Sequence, residues 1–497
     1  MNLAEIIEGH DAQRVALISR RQPTTYGELR DQVASLRGGL LALGIEAGDR
    51  VALLCGNARW FVDAYLATIG IGAVAVPLNP SSPAPELEGE IAVVGAVAVV
   101  VEPSAQPAWD DVDRARVPTV RFVIAADSSQ SMSADTSLDV LAGHEPMPLV
   151  DVDPDHLGVL IFTSGTAGSP RAAMLSHGNL RSNIDQSLSS PGRLNADDIV
   201  YGLLPVYHIM GLNVVLNATL AAGGTVVLVQ RFDPSTMVES IRERGITVVP
   251  GAPPMWTALA QLEGVGRDDL ASVRLALTGA ARMPEDAMRD LRDRLGVTLR
   301  EGYGLTEASP VVTSSVGVSH RFGSVGRVLH GIEIRLVDES GADALEGDAG
   351  EVWVRGPNVF LGYWNDPEAT AKVLTPDGWL RTGDVAVTDS DGYVYLVDRI
   401  KDLIIVSGFN VFPAEVEHVL RSHPAVAEAA VVGVAHPHTG EAVKAYVVAR
   451  PGTEVDEDTL VDYCHEHLAR YKCPSKVLPV DVLPRSVAGK LLRRELV

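Results

Sequence analysis

Cysteine is nearly absent from this chain. Cys55, Cys464 and Cys473 are the only 3 among 497 residues. They form neither a metal-ligand spacing nor a disulfide framework, which fits a reducing compartment and an expected place in the cytoplasm. Long hydrophobic runs are also missing. The two longest, around Leu66 to Val76 and from Ile91 to Val101, fall short of the roughly 20 residues a membrane helix needs. The start, Met1-Asn2-Leu3-Ala4-Glu5, has no basic region leading into an apolar one, so no signal peptide is expected. Positive charge is scarce: 41 Lys and Arg stand against 64 Asp and Glu, a net charge of -23. That argues against nucleic acid or an anionic membrane as partner. Low-complexity segments and internal repeats are absent too.

A chain of this length is too long for one ordinary core, and its 46% hydrophobic content suits a folded protein of two or more domains. Thr25 and Glu28 form a capping box. Leu29, Val33, Leu36, Leu40 and Leu43 follow at helical spacing, and Gly44 is placed to end the helix. Short apolar strands then alternate with helices past residue 300: strands at Val51 to Leu54, Ala73 to Pro77, Ile246 to Val249 and Leu275 to Thr278, helices at Ser235 to Arg244 and Pro284 to Leu295. The pattern predicts an α/β fold with largely parallel sheets. From about Gly331 apolar and polar residues alternate, as in Ile332 to Val337 and Glu351 to Arg355, with Gly392 to Val397 beside them. These read as a small antiparallel, barrel-like subdomain. After Asp398 the α/β texture returns, with helices at Pro413 to Ser422 and Glu457 to Ala469 and strands at Ala429 to Val434 and Val443 to Ala449. The division is thus a large N-terminal domain, residues 1–400, and a small α+β C-terminal domain, residues 401–497.

The chemistry begins at Thr163-Ser164-Gly165-Thr166-Ala167-Gly168-Ser169-Pro170-Arg171, directly after the apolar strand Leu157 to Phe162. Glycines let successive backbone N–H groups turn toward an anion, hydroxyls add donors, and Arg171 adds a fixed positive charge. No Gly-Lys-Ser/Thr closes the loop, which excludes the P-loop of the nucleoside triphosphatases. Downstream stand Tyr303-Gly304-Leu305-Thr306-Glu307, Arg381-Thr382-Gly383-Asp384, Asp398-Arg399-Ile400-Lys401-Asp402 and Pro484-Arg485-Ser486-Val487-Ala488-Gly489-Lys490. In this order and spread the set resembles the adenylate-forming (AMP-binding) superfamily of acyl-CoA synthetases, peptide-synthetase adenylation domains and luciferases, and among them most the fatty-acid–CoA ligases. The resemblance runs from about Thr25 to the C-terminus.

The resemblance implies that a carboxylic acid is activated with ATP as an acyl-adenylate and then passed to a thiol. Bringing two anions together requires charge neutralisation and alignment. By resemblance, Thr163 to Gly168 and Arg171 would hold the β- and γ-phosphates. Thr166, with Thr306 and Glu307 downstream, would lie near a Mg²⁺ ion, held by Thr166 and Glu307. Tyr303 and Gly304 would lie along the adenine, with Gly279, Ala280 and Ala281 closing the other side. Asp384 and Arg399 would hold the ribose. Lys490, on a turn of the C-terminal domain, would carry adenylation. Lys401 falls at the hinge about which that mobile domain would rotate, bringing Gly408 to the pantetheine path. His208, in Leu204-Pro205-Val206-Tyr207-His208-Ile209-Met210-Gly211, matches a position near the acyl carbonyl. The cations Lys472, Lys476, Arg485, Lys490, Arg493 and Arg494 would offset the acidic balance for ATP and CoA, or form a solvated helix face.

Two departures stand out. The loop continues Pro170-Arg171-Ala172 where relatives read Pro-Lys-Gly, and Ala167 replaces a usual threonine. Arginine keeps the charge with a different geometry. Gly304 stands where acetate-specific relatives carry a tryptophan, so it leaves room for a longer acid. Ile209 and Met210 are apolar where peptide-synthetase domains hold an amino group. A medium or long fatty acid is therefore the first expectation and an aryl or branched acid the second; Arg282 could hold a second carboxylate or face water. Free CoA is the expected acceptor, because no carrier domain follows Lys490. The alternatives are an acyl-AMP ligase loading a carrier protein, and a nucleotide-binding regulator without catalysis. Oligomeric state is not legible.

Overall fold

The computed structural model describes residues 1–497 except 131, 132, 164–170, 280–282, 284, 339, 346, 400–403, 407, 408, 412, 437–439, 469, 486–490 and 497. Two large sheets, each with six parallel strands, form its main body. In the first sheet the strand Arg50–Leu54 is central, Val74–Leu78 lies on one side and Ala98–Val101 on the other. Phe122–Ala125 and Thr136–Ser137 continue outward, and Leu157–Thr163 fills the place beside Val74–Leu78 before turning back into antiparallel Arg171–Ser176. The second sheet repeats that order. Ile199–Gly202 is central, flanked by Thr225–Leu228 and Val248–Gly251, with Leu275–Thr278 and Leu299–Gly304 outward. There Val15–Ser19 takes the sixth place and turns back into Gln22–Thr25.

The strands behave as parallel strands covered on both faces should. Val51 and Leu53 point into a core shared with Leu17 and Val226 of the second sheet, while Ala52 and Leu54 face an outer layer with Leu87, Ile91 and Trp109. Helix Tyr26–Ala42 packs into the shared core through Leu29, Val33 and Leu36. Its capping box is present: the Glu28 N–H donates to Thr25 Oγ1 at 3.2 Å and the Thr25 N–H to Glu28 Oε2 at 2.8 Å. Such a cap stabilises by about 1 kcal/mol. The apolar run Ile91 to Val101 is divided by Gly95, whose φ of 62° ends helix Ala84–Val94 and lets the chain turn into strand Ala98–Val101.

The predicted β-rich segment is a four-stranded antiparallel sheet of Glu333–Val337, Gly350–Arg355, Leu380–Thr388 and Val394–Arg399. Beyond it a further sheet contains Ile404–Val406, Phe409–Val411, Val426–His436, Gly440–Ala449 and Lys476–Pro479. Helices Pro413–Ser422 and Glu457–His467 cover it around a separate core that includes Val416, Leu420, Val431, Val443, Leu460 and Cys464. All three cysteines are buried and free. No described helix is long and apolar enough to cross a membrane.

Candidate active site

Parallel α/β sheets present ligands to the carboxyl ends of their strands, above all where strand order reverses. In the second sheet those ends carry Gly202, Gly251, Thr278-Gly279 and Tyr303-Gly304. Gly304 has a steric cause that its sequence does not reveal. A Cβ there would lie 2.0 Å from the Pro310 carbonyl oxygen and 3.1 Å from Val311 Cα. The glycine lets the turn after the strand fold back on itself, so it does more than leave room for a longer acid.

That turn is fixed from several sides by buried amides. Asn358 Nδ2 donates to the Ala308 carbonyl at 2.8 Å, and Asn213 Nδ2 to that of Ser309 at 2.7 Å. Asn183 exchanges two bonds with the Val311 backbone, at 2.7 and 3.0 Å. Glu307 is therefore held on a rigid frame.

Tyr303 and Asp384 meet although they belong to different sheets. The Tyr303 hydroxyl donates to Asp384 Oδ2 at 2.7 Å, and both residues are buried. Asp384 follows Gly383, whose N–H donates to Glu351 Oε1 at 3.0 Å. On the neighbouring antiparallel strand the residue opposite Asp384 is Arg399. The backbone thus pairs the two residues read from sequence as ribose partners; the Arg399 side chain lies outside the described residues.

At the end of the first sheet, Thr163 and Arg171 pair across the base of the loop read from sequence as a phosphate cradle. Arg171 Nε lies 3.3 Å from Asp366 Oδ2, and its guanidinium sits 5.8 Å from the centre of the Tyr363 ring. The Tyr363 hydroxyl donates to Glu307 Oε1 at 2.7 Å. Burial first, then the adjacent Glu307 carboxylate, raises the Tyr363 phenol well above its usual range, so it remains a donor. Ala172, a departure from the usual glycine, pairs regularly with Phe162 and is buried in the outer core. Alanine suits that extended position. Ser164, Gly165, Thr166, Ala167 and Gly168 lie outside the described residues, as do Ala280, Ala281 and Arg282.

His208 lies on the loop after the central strand Ile199–Gly202. Its Nδ1 accepts from the Met210 N–H at 3.3 Å, at the start of the π-helical segment Met210–Asn217. Met210 Cε would be 3.3 Å from a Cβ on Gly279, so this loop packs against the strand end Thr278-Gly279. Asn57 anchors the loop from the first sheet: its Nδ2 donates to the carbonyls of Gly202, Leu203 and Leu204 at 2.9 to 3.0 Å, and its Oδ1 accepts from the Val206 N–H at 3.0 Å. Trp256 Nε1 donates to the Leu277 carbonyl at 3.1 Å beneath the neighbouring strand end. Sequence reasoning missed Asn57, Tyr363 and Asp366. The run Gly362-Tyr363-Trp364-Asn365-Asp366 held the signal, since an aromatic hydroxyl and an acid in a turn are usable partners for charge.

The C-terminal cations divide. Lys472 pairs with Glu415 and Arg493 with Glu417, both at 2.7 Å, and Arg485 pairs with Glu428. All three ion pairs lie within the C-terminal domain. Lys401, Gly408 and Lys490 lie outside the described residues. Arg485 and Leu491, which flank the segment containing Lys490, form an antiparallel bridge.

Two doubly wound sheets followed by a small C-terminal domain are the architecture of adenylate-forming enzymes, and the comparisons place the chain in that class. A model of the AMP-binding enzyme family matches residues 4–364, one of that family's C-terminal domain matches residues 415–490, and the chain belongs to this family. It is 38% identical over 479 residues to a feruloyl-CoA synthase from Amycolatopsis sp, covering 95% of this chain and 93% of that one. It is 34% identical to 4-coumarate–CoA ligase 5 of Oryza sativa subsp. japonica, covering 95% of this chain and 88% of the relative. ATP-bound MatB from Rhodopseudomonas palustris superposes with a TM-score of 0.93 at 34% identity, covering 100% of this chain and 98% of the other. The chain is an AMP-forming acid–thiol ligase.

Proposed function

We propose that the protein joins a carboxylic acid with an uncharged aromatic body, a hydroxycinnamate foremost, to CoA. A carboxylate oxygen attacks the α-phosphorus of ATP, the α–β bridge breaks, and pyrophosphate leaves. The CoA thiolate then attacks the acyl carbon and AMP departs. The observation that carries this reading is the extent of similarity to feruloyl- and coumarate-CoA ligases, 38% and 34% with 95% of the chain covered. That Ile209 and Met210 are themselves apolar agrees with it. A fatty acid, preferred from sequence alone, becomes the second reading. It is favoured by 35% identity over 519 residues to a long-chain-fatty-acid–CoA ligase of Yersinia pestis.

In this proposal Thr163 to Gly168 and Arg171 receive the β- and γ-phosphates. Tyr303 and the stretch Gly279-Ala280-Ala281 flank adenine, with Gly304 and Thr306 beside it. Asp384 and Arg399 accept and donate to the ribose. Lys490 arrives with the C-terminal domain to offset charge at the α-phosphate. Rotation about Lys401 then withdraws it and brings Gly408 to the thiol path, while His208 orients the carboxyl group. Glu307 offers hard carboxylate oxygens, and no group of three or more His, Cys, Asp or Glu gathers among the described residues. That donor set fits Mg²⁺, which is commonly held by one or two carboxylates together with substrate phosphates. When bound, Mg²⁺ would neutralise phosphate charge. Mass spectrometry of products from ATP, Mg²⁺, CoA and a panel of hydroxycinnamic and fatty acids tests the proposal. Feruloyl- or coumaroyl-CoA with AMP supports it. Fatty acyl-CoA alone selects the second reading. An acyl-AMP that persists with CoA present points to a carrier-protein acceptor, and no adenylate from any acid favours the regulator.

A further inference from the structure

The segment 360–366 touches both sheets at the point where their loops approach. The Leu361 N–H donates to the Met174 carbonyl and the Trp364 N–H to the Ala172 carbonyl, at 3.0 and 2.8 Å. Gly362–Tyr363 thus becomes an edge strand on Arg171–Ser176, the strand that leaves the phosphate loop. From the same segment the Phe360 N–H donates to the Glu307 carbonyl at 2.9 Å, on the turn that ends the second sheet's outermost parallel strand. Side chains double these backbone ties. Tyr363 holds the Glu307 carboxylate by its hydroxyl and lies beside the Arg171 guanidinium with its ring. Asp366 uses Oδ1 to cap helix Pro367–Val373, accepting from the Ala369 N–H at 2.8 Å, and Oδ2 to hold Arg171 Nε.

We propose that this segment is a seam that sets the distance between Glu307 and Arg171, with Tyr363 and Asp366 as positioning residues for the metal-side carboxylate and for Arg171. The inference rests on the roles given above to Glu307 and Arg171. A carboxylate with one oxygen pinned by a phenol presents the remaining lone pairs in a fixed direction. A guanidinium anchored by Nε keeps its two terminal nitrogens for phosphate oxygens. A lysine has a single nitrogen and cannot be anchored and bind in this divided way. The seam therefore gives a reason for arginine at 171 in this chain: it comes with Asp366 as its holder.

The test compares Tyr363→Phe, Asp366→Asn, Arg171→Lys and Glu307→Gln in the full chain. Asparagine also caps helices, so Asp366→Asn removes the charge while leaving the cap. Tyr363→Phe should raise the Mg²⁺ concentration needed for half-maximal turnover by about tenfold, with a smaller fall in kcat at saturating Mg²⁺. Asp366→Asn should weaken ATP binding about fivefold by calorimetry without acid or CoA, and add nothing further in the Arg171→Lys background. Wild-type Mg²⁺ dependence in Tyr363→Phe, with a clear shift in Glu307→Gln, overturns the seam alone. Wild-type Mg²⁺ dependence in both overturns the role of Glu307 and the seam with it. Additive weakening by Asp366→Asn and Arg171→Lys overturns the anchoring of Arg171. Melting curves exclude misfolding: a variant that melts with the wild type and still shows its shift supports positioning.

Discussion

In the first sheet, Leu157–Thr163 turns back into Arg171–Ser176 through the glycine- and hydroxyl-rich residues 164–170. In the second, the equivalent strand Val15–Ser19 turns back into Gln22–Thr25 through Arg20 and Arg21 alone, both at positive φ of 48° and 69°. The outermost parallel strands differ the other way. Thr136–Ser137 passes directly into helix Leu138–Leu141, whereas Leu299–Gly304 extends to carry Tyr303 toward Asp384. The reversal points differ as well. At the first, Asn57 and the buried Glu102 occupy the strand ends; at the second, Gly202 and Gly251 stand there. The two sheets share a strand order, so the order does not choose the chemistry. Loop length and the residues at the strand ends are what differ, and the proposed site draws on non-equivalent ends of equivalent sheets.

The most severe way to break this comparison is to make the two hairpins alike. Replacing residues 164–170 by Asn-Gly, a pair suited to a tight hairpin turn, keeps the pairing of Thr163 with Arg171 possible. The variant should fold, with a melting point near that of the wild type, and should form no detectable acyl-adenylate. Retained adenylation would remove the loop from the mechanism. Next in size is Lys490→Ala, which removes a group supplied from outside both sheets. Adenylation should fall by about 10²- to 10³-fold, as when one transition-state charge partner is lost. A chemically supplied acyl-adenylate should still give acyl-CoA, measured by thioester formation. Equal loss in both steps would contradict a role confined to the first.

Gly304→Trp sharpens the comparison at the second sheet. Judged by sequence, it should merely shorten the acids accepted. The 2.0 Å approach of a Cβ to the Pro310 carbonyl predicts more. The turn must move, so kcat/KM should fall about tenfold for every acid, short ones included. A clean shift to short acids, with their turnover kept, would show that the turn relaxes without disturbing Glu307.

The layered α/β class, most strands and the order of the motifs were readable from the sequence, because apolar periodicity and glycine placement act locally. Leu275–Thr278 and Pro413–Ser422 occur where the pattern puts them. The contacts that tie the motifs together were not readable. Tyr303 meets Asp384 across 81 positions and Tyr363 meets Glu307 across 56. Nothing in local spacing encodes such a meeting. Asn57, Asn213 and Asn358 were silent for the same reason: a buried amide satisfying distant carbonyls looks in sequence like any polar loop residue.

The smallest expected effect concerns pH, and it separates the stability of the first sheet from the chemistry at the strand ends. Glu90, on helix Ala84–Val94 over that sheet, is raised to about 8 by burial and then by the charge of Glu86. His177, whose Nδ1 accepts from the Leu3 N–H at 2.9 Å, is lowered to about 4, chiefly by burial. The folded chain keeps a proton on Glu90 that the unfolded chain has lost, so Glu90 lowers stability as pH rises from the usual carboxylate range to about 8. His177 acts in the opposite sense. The unfolded chain binds a proton that the folded one refuses, so its stability contribution falls as pH drops from the usual histidine range toward about 4. Between the unfolded values of the two groups, about pH 4.5 to 6.5, the slopes oppose each other and nearly cancel. From there to about pH 8 Glu90 acts alone. Glu90→Gln should therefore flatten the fall in melting temperature between about pH 6.5 and 8, while KM for ATP follows the wild type. A variant that changes KM and leaves the melting profile untouched would mean that Glu90 belongs to the site after all.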